Sequence, residues 1–271
     1  MTSIAALTDR AVLAVSGVDS RQFLQGLITN DISGLEHGNA HYAALLTPQG
    51  KILFDFFVYA DGDEFLLDCA AQFADAYYKR LSLYRLRAKV DIVRRDDLVV
   101  LAQWNSETAP LGWWRDHRVA ALGWRWLAKK EDVTADALPA SAYLKHRLAL
   151  GVPEGADFGQ DRMFALDADL EELHAVSFEK GCYVGQELTA RMKHRGTARK
   201  KLLPVESAGS ALPVAGTPIV ANGSEIGALT SVYGGRGFAL VRLDRLDAAG
   251  SVAPDAGGVP VRLAKPQWLF P

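Results

Sequence analysis

The chain has 271 residues, of which 49% are hydrophobic and 23% are charged, enough to bury a core in one large domain or two to three small ones. Its formal net charge of −2 gives no overall attraction to polyanions, so neither DNA nor a membrane is expected as a partner, and any polyanion site must be a local patch. No apolar stretch reaches membrane-spanning length, and the N-terminus lacks the order of a secretory signal. We therefore expect a cytoplasmic protein, or a mitochondrial matrix protein in a eukaryote.

The first third of the chain predicts mixed strands and helices. Residues 11–15 are strand-like, and Asp19 is a plausible N-cap for a helix through Ile28. Residues 41–46, 51–59 and 64–69 are rich in β-formers and are separated by turn sequences, which predicts a strand meander. Residues 71–87 carry apolar side chains at helical spacing.

The remainder of the chain predicts a second α+β unit, followed by a segment of short strands. Short strands are expected between residues 90 and 130, including 98–103 and the tryptophan-rich 113–126, before a helix over 141–150. After residue 201, the ranges 202–205, 217–220, 225–233 and 238–243 predict a small antiparallel barrel. The expected domains are an α+β region over 1–200, with lobes of roughly 1–90 and 91–200, and a barrel over 201–271.

The most informative segment is KGCYVGQE, which runs from Lys180 to Glu187. It places Cys182 between Gly181 and Gly185, just before a predicted helix. The glycines allow positive φ and close approach of a ligand, while the lysine and the helix N-terminus both favour a thiolate. A tight turn with a small buried side chain is the alternative, because free cysteines are often buried.

This segment also carries a resemblance to a known family. Residues 176–191, VSFEKGCYVGQELTAR, resemble the signature of the YgfZ/GcvT-like folate-binding family, especially its iron–sulfur assembly branch. FLQGLITND at 23–31, LLTPQGK at 45–51 and RLALGVPE at 147–154 resemble further stretches of that family in the same order.

The resemblance implies an α+β fold related to the T-protein of the glycine cleavage system. Two ferredoxin-like units and a C-terminal antiparallel β-barrel would surround a central site for tetrahydrofolate or a derivative. The family is implicated in assembling or repairing iron–sulfur clusters, which implies transient partners among client or assembly proteins. Because the chain has only two cysteines and no Cys-x-x-Cys spacing, no resident metal, disulfide framework or structural zinc site is expected.

The candidate catalytic residues are Cys182, Lys180 and Asp55. Asp55 interrupts a strand that is apolar on both faces, and period-two alternation places it on one face with Tyr59, a wall suited to a flat pterin. Its position is similar to one where T-proteins hold a folate-contacting aspartate; a solvent-facing edge aspartate is the alternative. The candidate folate-binding residues are Asp55, Tyr59, Tyr183, Gln186, Glu187 and Arg191.

A run of cations follows the motif. It comprises Arg191, Lys193, Arg195, Arg199, Lys200 and Lys201, without an intervening acid. Such a run can be a solvated face or a rim that draws the glutamate tail of folate. RNA is disfavoured because no RNA-binding motif is recognisable. Cys69 ends an apolar strand and is expected to pack in the core.

Three functions stay open at this point. The first is a tetrahydrofolate-binding accessory protein that uses Cys182 to handle a cluster, sulfur or a client thiol transiently. The second is a folate-dependent aminomethyltransferase of the T-protein type, which would make the chain an enzyme and needs no cysteine. The third is a non-catalytic folate-binding scaffold.

Overall fold

The computed structural model describes residues 2–196 and 199–271. Its strands are β1 (Ser3–Leu7), β2 (Arg10–Ser16), β3 (Ala40–Leu46), β4 (Ile52–Asp61), β5 (Glu64–Ala70), β6 (Asp91–Arg94), β7 (Leu98–Trp104), β8 (Trp114–Arg115), β9 (Trp124–Lys129), β10 (Leu138–Pro139), β11 (Lys200–Ser207), β12 (Pro218–Ala221), β13 (Ser224–Tyr233), β14 (Arg236–Arg242), β15 (Asp255–Ala256) and β16 (Val259–Leu263). Its α-helices are α1 (Ser20–Gln25), α2 (Ala74–Arg85), α3 (Ala140–Ala149), α4 (Gln186–Arg195) and α5 (Leu243–Ala249). The fold is α+β, as predicted.

The first sheet is antiparallel, with the order β3-β4-β5-β2-β6. Apart from Asp55 and the terminal Asp61, its strand β4 is apolar, because both of its faces are buried. On one face Phe54 and Phe56 pack against Tyr77 of α2. On the other face Phe57 and Tyr59 belong to the core shared with the second sheet.

The second sheet has the order β10-β1-β7-β9-β8, in which only β1 and β10 pair in parallel. The two lobes expected to divide near residue 90 exchange strands, since β1 lies in the second sheet and β6 lies in the first. This exchange buries the contact between the sheets, where Trp114 packs on Tyr59 with 4.5 Å between ring centroids. Trp114 thus serves core packing, whereas Trp113 and Trp126 pack on each other and are half-buried.

The C-terminal strands close a six-stranded barrel in the order β11-β14-β13-β12-β15-β16. Its interior is a separate core that includes Leu203, Ile219, Leu229 and Val241. The predicted barrel is therefore present, and the sequence expectation lacked β15, β16 and α5. Local signals favour a loop here, because β15 has only two residues and β16 follows two glycines and contains Pro260. Helix α5 has only seven residues, about two turns.

Helix α1 differs from expectation at both of its ends. Helix α1 ends at Gln25 rather than at Ile28, with Gly26 as its C-cap. Asp19 precedes α1, but its carboxylate accepts a hydrogen bond from the backbone N–H of Lys89 (2.7 Å) instead of capping the helix. Within the described ranges, no helix is both long and apolar enough to cross a membrane.

Candidate functional site

The motif cysteine lies at the surface, and the second cysteine does not. Cys182 is exposed in the loop before α4, whereas Cys69 of β5 is buried. Burial raises the pKa of the Cys69 thiol to about 12, so this side chain stays protonated and inaccessible at neutral pH. Cys182 is therefore the one thiol among the described residues that an external electrophile or metal can reach.

Lys180 holds the start of the motif loop against the end of α1 and the segment that follows it. Its Nζ donates to the backbone carbonyls of Gln25, Ile28 and Asn30, each at 2.8 Å. These carbonyls lie at and after the C-terminus of α1, where the helix dipole favours a cation. Burial lowers the pKa of Lys180 to about 8, and the negative charge of Asp31 opposes this effect. The ammonium thus positions the loop, and its predicted catalytic role stays a prediction.

Gly185 fastens the other end of the loop to the tip of the β3–β4 hairpin. Its φ is +82°, and a Cβ at this position would lie 2.4 Å from the carbonyl oxygen of Thr47. Gly181 has no positive φ, and a Cβ there would meet nothing within 4 Å. Of the two motif glycines, only Gly185 is needed for the backbone conformation and the close approach.

The remaining motif residues surround this loop. The Tyr183 side chain is 9% exposed, and its backbone N–H donates to Oε1 of Gln186 (2.9 Å). Glu187 and Arg191 are exposed on α4. Tyr183 is thus buried while Glu187 and Arg191 face solvent, and the predicted contact of these motif residues with folate stays a prediction.

Asp55 and Tyr59 lie elsewhere, in the interior. Asp55 is 4% exposed, and its carboxylate accepts from the Tyr42 hydroxyl (2.7 Å) and from the Gly155 backbone N–H (3.0 and 3.1 Å). Burial raises the pKa of Asp55, with Arg10 opposing the shift. The carboxylate is neither on a solvent-facing edge nor open to a ligand, and no hydrogen bond between described residues joins it to the motif loop.

The interior around Asp55 holds a network of arginines and carboxylates. Asp68 pairs with Arg10 (2.5 Å) and Arg125 (2.6 Å), while Glu154 pairs with Arg10 (3.1 Å) and Arg118 (2.6 Å). Burial alone would raise the pKa of Glu154, but Arg10 and Arg118 hold it well below its usual range. The network joins the first sheet, the second sheet and the segment after α3.

A second branch of this network reaches the barrel. Arg147 of α3 pairs with Asp157 (2.7 Å), and the same carboxylate accepts from the hydroxyls of Ser231 (2.5 Å) and Tyr233 (2.8 Å) on β13. The donors belong to α3 and β13, and the carboxylate that accepts from them belongs to the segment after α3. The charges therefore fix how the three sheets lie relative to one another.

The aromatic wall expected to hold a pterin is covered by two of these arginines. The guanidinium carbon of Arg125 lies 4.3 Å from the Phe57 ring centroid, and that of Arg118 lies 4.7 Å from it and 4.8 Å from the Tyr42 centroid. These are stacking distances for a cation on an aromatic face. The chain's own guanidinium groups occupy the surface that a flat ring would need, so a pterin does not fit against Asp55.

A large cavity of about 950 Å³ lies between the second sheet, α3 and the barrel. Its walls include Arg118, Leu148, Arg236, Lys265 and Trp268. Glu172 and Glu206 also line it, and Glu206 pairs with Arg236 (3.0 Å). Its size and its mixture of apolar and charged side chains suit a small organic ligand. Nothing in the local sequence marked these residues, because they come from several separate segments.

The described residues offer no metal site of their own. Residues 2–196 and 199–271 contain no group of three or more His, Cys, Asp or Glu side chains placed to hold a metal ion. Of the predicted run of cations, Lys193 pairs with Glu171, and Lys201 pairs with Glu172 (2.5 Å). The run is therefore partly neutralised by acids from the preceding loop.

Comparison with known proteins agrees with this architecture. Residues 4–112 match the family described as the GCVT N-terminal domain, and residues 199–271 match the CAF17 C-terminal β-barrel domain. The crystal structure of the glycine cleavage system aminomethyltransferase T from Bartonella henselae superposes with a TM-score of 0.76 over 98% of this chain and 86% of that one, at 17% identity. This likeness establishes the shared fold.

Proteins with similar sequences identify the family more narrowly than the shared fold does. The chain is 35% identical to the mitochondrial iron–sulfur cluster assembly factor IBA57 of Mus musculus over 89% of this chain and 77% of the relative. It is 32% identical to that of Homo sapiens over 97% of this chain and 84% of the relative. The Neurospora crassa homologue is 33% identical over 73% of this chain, and the match spans only 52% of that protein. The names of these relatives place them in mitochondria, as expected for eukaryotic members.

Coverage and identity with the mouse and human proteins settle the predicted membership of a GcvT-like iron–sulfur assembly family. The chain belongs to the family of the iron–sulfur cluster assembly factor IBA57.

Proposed function

We propose that this protein acts in iron–sulfur cluster assembly by supplying Cys182 as one ligand of a cluster held jointly with a client or assembly protein. The observation that carries the proposal is the contrast between the two thiols, because Cys182 is exposed and Cys69 is buried. The Cys182 thiol loses its proton to solvent, and the thiolate then donates to one iron. One thiolate cannot hold a cluster alone, so the partner supplies the other ligands.

The geometry of the loop supports this role. Lys180 holds one end of a short segment against the residues at and after the end of α1, and Gly185 holds the other end against the β3–β4 hairpin. This presents Cys182 at a fixed place while leaving its side chain accessible. A ligand that is held in position loses less conformational entropy when the shared complex forms. The cluster itself is cargo, passed on when the partner or the client takes over the ligand position.

The first test uses cells that lack their own member of this family. Replacing Cys182→Ser is expected to abolish restoration of an aconitase-type client activity, because a hydroxyl is a poor iron ligand at neutral pH. The matched control is Cys69→Ala, which is expected to restore activity because this thiol is inaccessible. Full restoration by Cys182→Ser would contradict the proposal and favour a non-catalytic scaffold.

We further propose that tetrahydrofolate binds in the large cavity rather than against Asp55. The GCVT-type fold family binds folate in general, and the volume of about 950 Å³ is sufficient for such a ligand. Trp268 and Leu148 would contact its flat ring. Arg236 and Lys265, which pair with Glu206 (3.0 Å) and Asp247 (3.5 Å), would exchange these solvent-accessible partners for the carboxylates of folate. A bound tetrahydrofolate would supply a carrier for one-carbon units. We retain the division into an α+β region over 1–200 and a barrel over 201–271 as the units that enclose it.

An anaerobic titration with tetrahydrofolate tests this second proposal. We expect saturable quenching of tryptophan fluorescence that is lost on Trp268→Phe, and weaker binding by Lys265→Ala. The variant Asp55→Asn serves as the comparison and is expected to bind normally if folded, because its side chain faces protein groups only. Loss of binding in Asp55→Asn with retention in Lys265→Ala would place folate at Asp55 instead. Formation of methylene-tetrahydrofolate from an aminomethyl donor would identify an aminomethyltransferase.

A further inference from the structure

The solvent face of α2 is apolar at its centre, which is unusual for a surface helix. Ala74, Tyr77 and Leu81 form the buried face of this helix. At about 100° per residue, Lys79 and Leu83 point in the opposite direction. The Leu83 side chain is 69% exposed, so a leucine occupies the apex where a charged or polar residue is the usual choice.

Two more apolar side chains protrude beside it. Leu86, just after α2, is 88% exposed and has a φ of +45°, a left-handed backbone that bulky residues rarely adopt. Val18, in the loop before α1, is 84% exposed. This loop contacts the segment after α2 directly, because Asp19 accepts from the backbone N–H of Lys89 (2.7 Å). The loop that carries Val18 therefore lies beside the segment that continues from Leu86 to Lys89.

The charge around these side chains is strongly positive. Five exposed cations surround them, namely Lys79, Arg80, Arg85, Arg87 and Lys89. Within the described part of the chain, none of the five forms an ion pair, and nearby Asp75 is already paired with Arg94 (3.1 Å). Asp19 and Asp91 are the acids left at the margin. We call the three apolar residues and five cations the α2 patch.

The protruding side chains of the α2 patch favour insertion into a deformable lipid surface over docking into the groove of a protein. Side chains exposed to 84% and 88% stand clear of their neighbours and line no cavity. Protruding leucines ringed by lysine and arginine are the arrangement of interfacial membrane anchors, in which apolar tips enter the acyl boundary and cations contact lipid phosphates. Long basic side chains can reach the headgroups while the leucines insert.

We propose that the α2 patch is a peripheral docking site for an anionic lipid bilayer. The inference goes beyond the proposed function and does not depend on it. The overall charge of −2 gave no reason to expect a membrane partner, but the patch concentrates five cations locally. Helix α1 begins beside Val18 and ends at the carbonyls that Lys180 binds. Docking would therefore hold the motif loop near the membrane surface, roughly 9 Å of helix away.

Vesicle sedimentation with the full chain tests the proposal. We expect binding to vesicles of equal parts phosphatidylcholine and phosphatidylglycerol, weak binding to phosphatidylcholine alone, and release by salt. The double variant Leu83→Ser, Leu86→Ser is expected to weaken the partition coefficient about tenfold. Arg85→Ala and Arg87→Ala are each expected to weaken it about fivefold.

Matched controls are available on the same chain. Leu111→Ser and Val214→Ser remove apolar side chains that are 103% and 79% exposed outside the patch, and Lys130→Ala and Lys145→Ala remove exposed cations. All four are expected to bind vesicles normally. Equal binding to neutral and anionic vesicles would overturn the proposal, as would anionic binding that is indifferent to the two leucines. Binding of single-stranded RNA without binding of vesicles would overturn it in favour of a nucleic-acid surface.

Discussion

Replacing Asp68→Asn is expected to lower the free energy of unfolding by about 3–5 kcal/mol, since it leaves buried charges without their partner. Asp68 is 0% exposed and stands between Arg10 and Arg125, with contacts of 2.5 and 2.6 Å. An amide of the same shape can satisfy one guanidinium with its oxygen, but its NH₂ group then faces the other. The two arginines come from different sheets, so the loss affects how the sheets pack.

Urea unfolding followed by tryptophan fluorescence measures the effect. The matched control is Asp75→Asn, which breaks the pair with Arg94 at a carboxylate whose side chain is 85% exposed. We expect that control to change stability by less than about 1 kcal/mol, because exposed ion pairs contribute little. Similar midpoints for the two variants would show that the interior pairs are as dispensable as surface pairs.

The same network explains why the architecture was easier to predict than the interior. The strands β3, β4 and β5 and the barrel follow from alternation, turn residues and short β-rich runs, which are local signals. The pairing of Asp68 with Arg125 joins residues 57 positions apart. The sequence near each residue contains no signal that predicts this pairing. Strand exchange between the sheets was likewise absent from the prediction, because β1 is too short to show which partner it takes.

The candidate site likewise has features that follow from local sequence and features that depend on distant residues. Exposure of Cys182 and burial of Cys69 agree with a glycine-flanked loop and an apolar strand, respectively. The interpretation of Asp55 as one wall of an open pterin site rested on its strand neighbours alone. It could not include Arg118 and Arg125, which arrive from the second sheet and cover the aromatic ring of Phe57. A carboxylate within an apolar strand indicates a partner, and here that partner is the protein itself.

Replacing Gly185→Ala is expected to displace the motif loop and lower stability by about 1–3 kcal/mol. The residue has a φ of +82°, and a new Cβ would lie 2.4 Å from the Thr47 carbonyl oxygen and 2.9 Å from the Leu46 Cβ. Neither contact involves the far end of a flexible side chain, so the loop or the hairpin must move. Because Cys182 is three positions away, the change is also expected to reduce client activation.

Gly181→Ala is the matched control, since it adds the same methyl group on the other side of Cys182. A Cβ at that position meets nothing within 4 Å, and we expect normal stability and normal activity. Hydrogen exchange of the hairpin amides around Thr47, the rate of Cys182 alkylation and client activation measure the two variants together. If Gly185→Ala leaves all three unchanged, the hairpin contact does not position the cysteine. If both variants lose activity equally, the requirement lies in loop mobility near the thiol rather than in the left-handed backbone at Gly185.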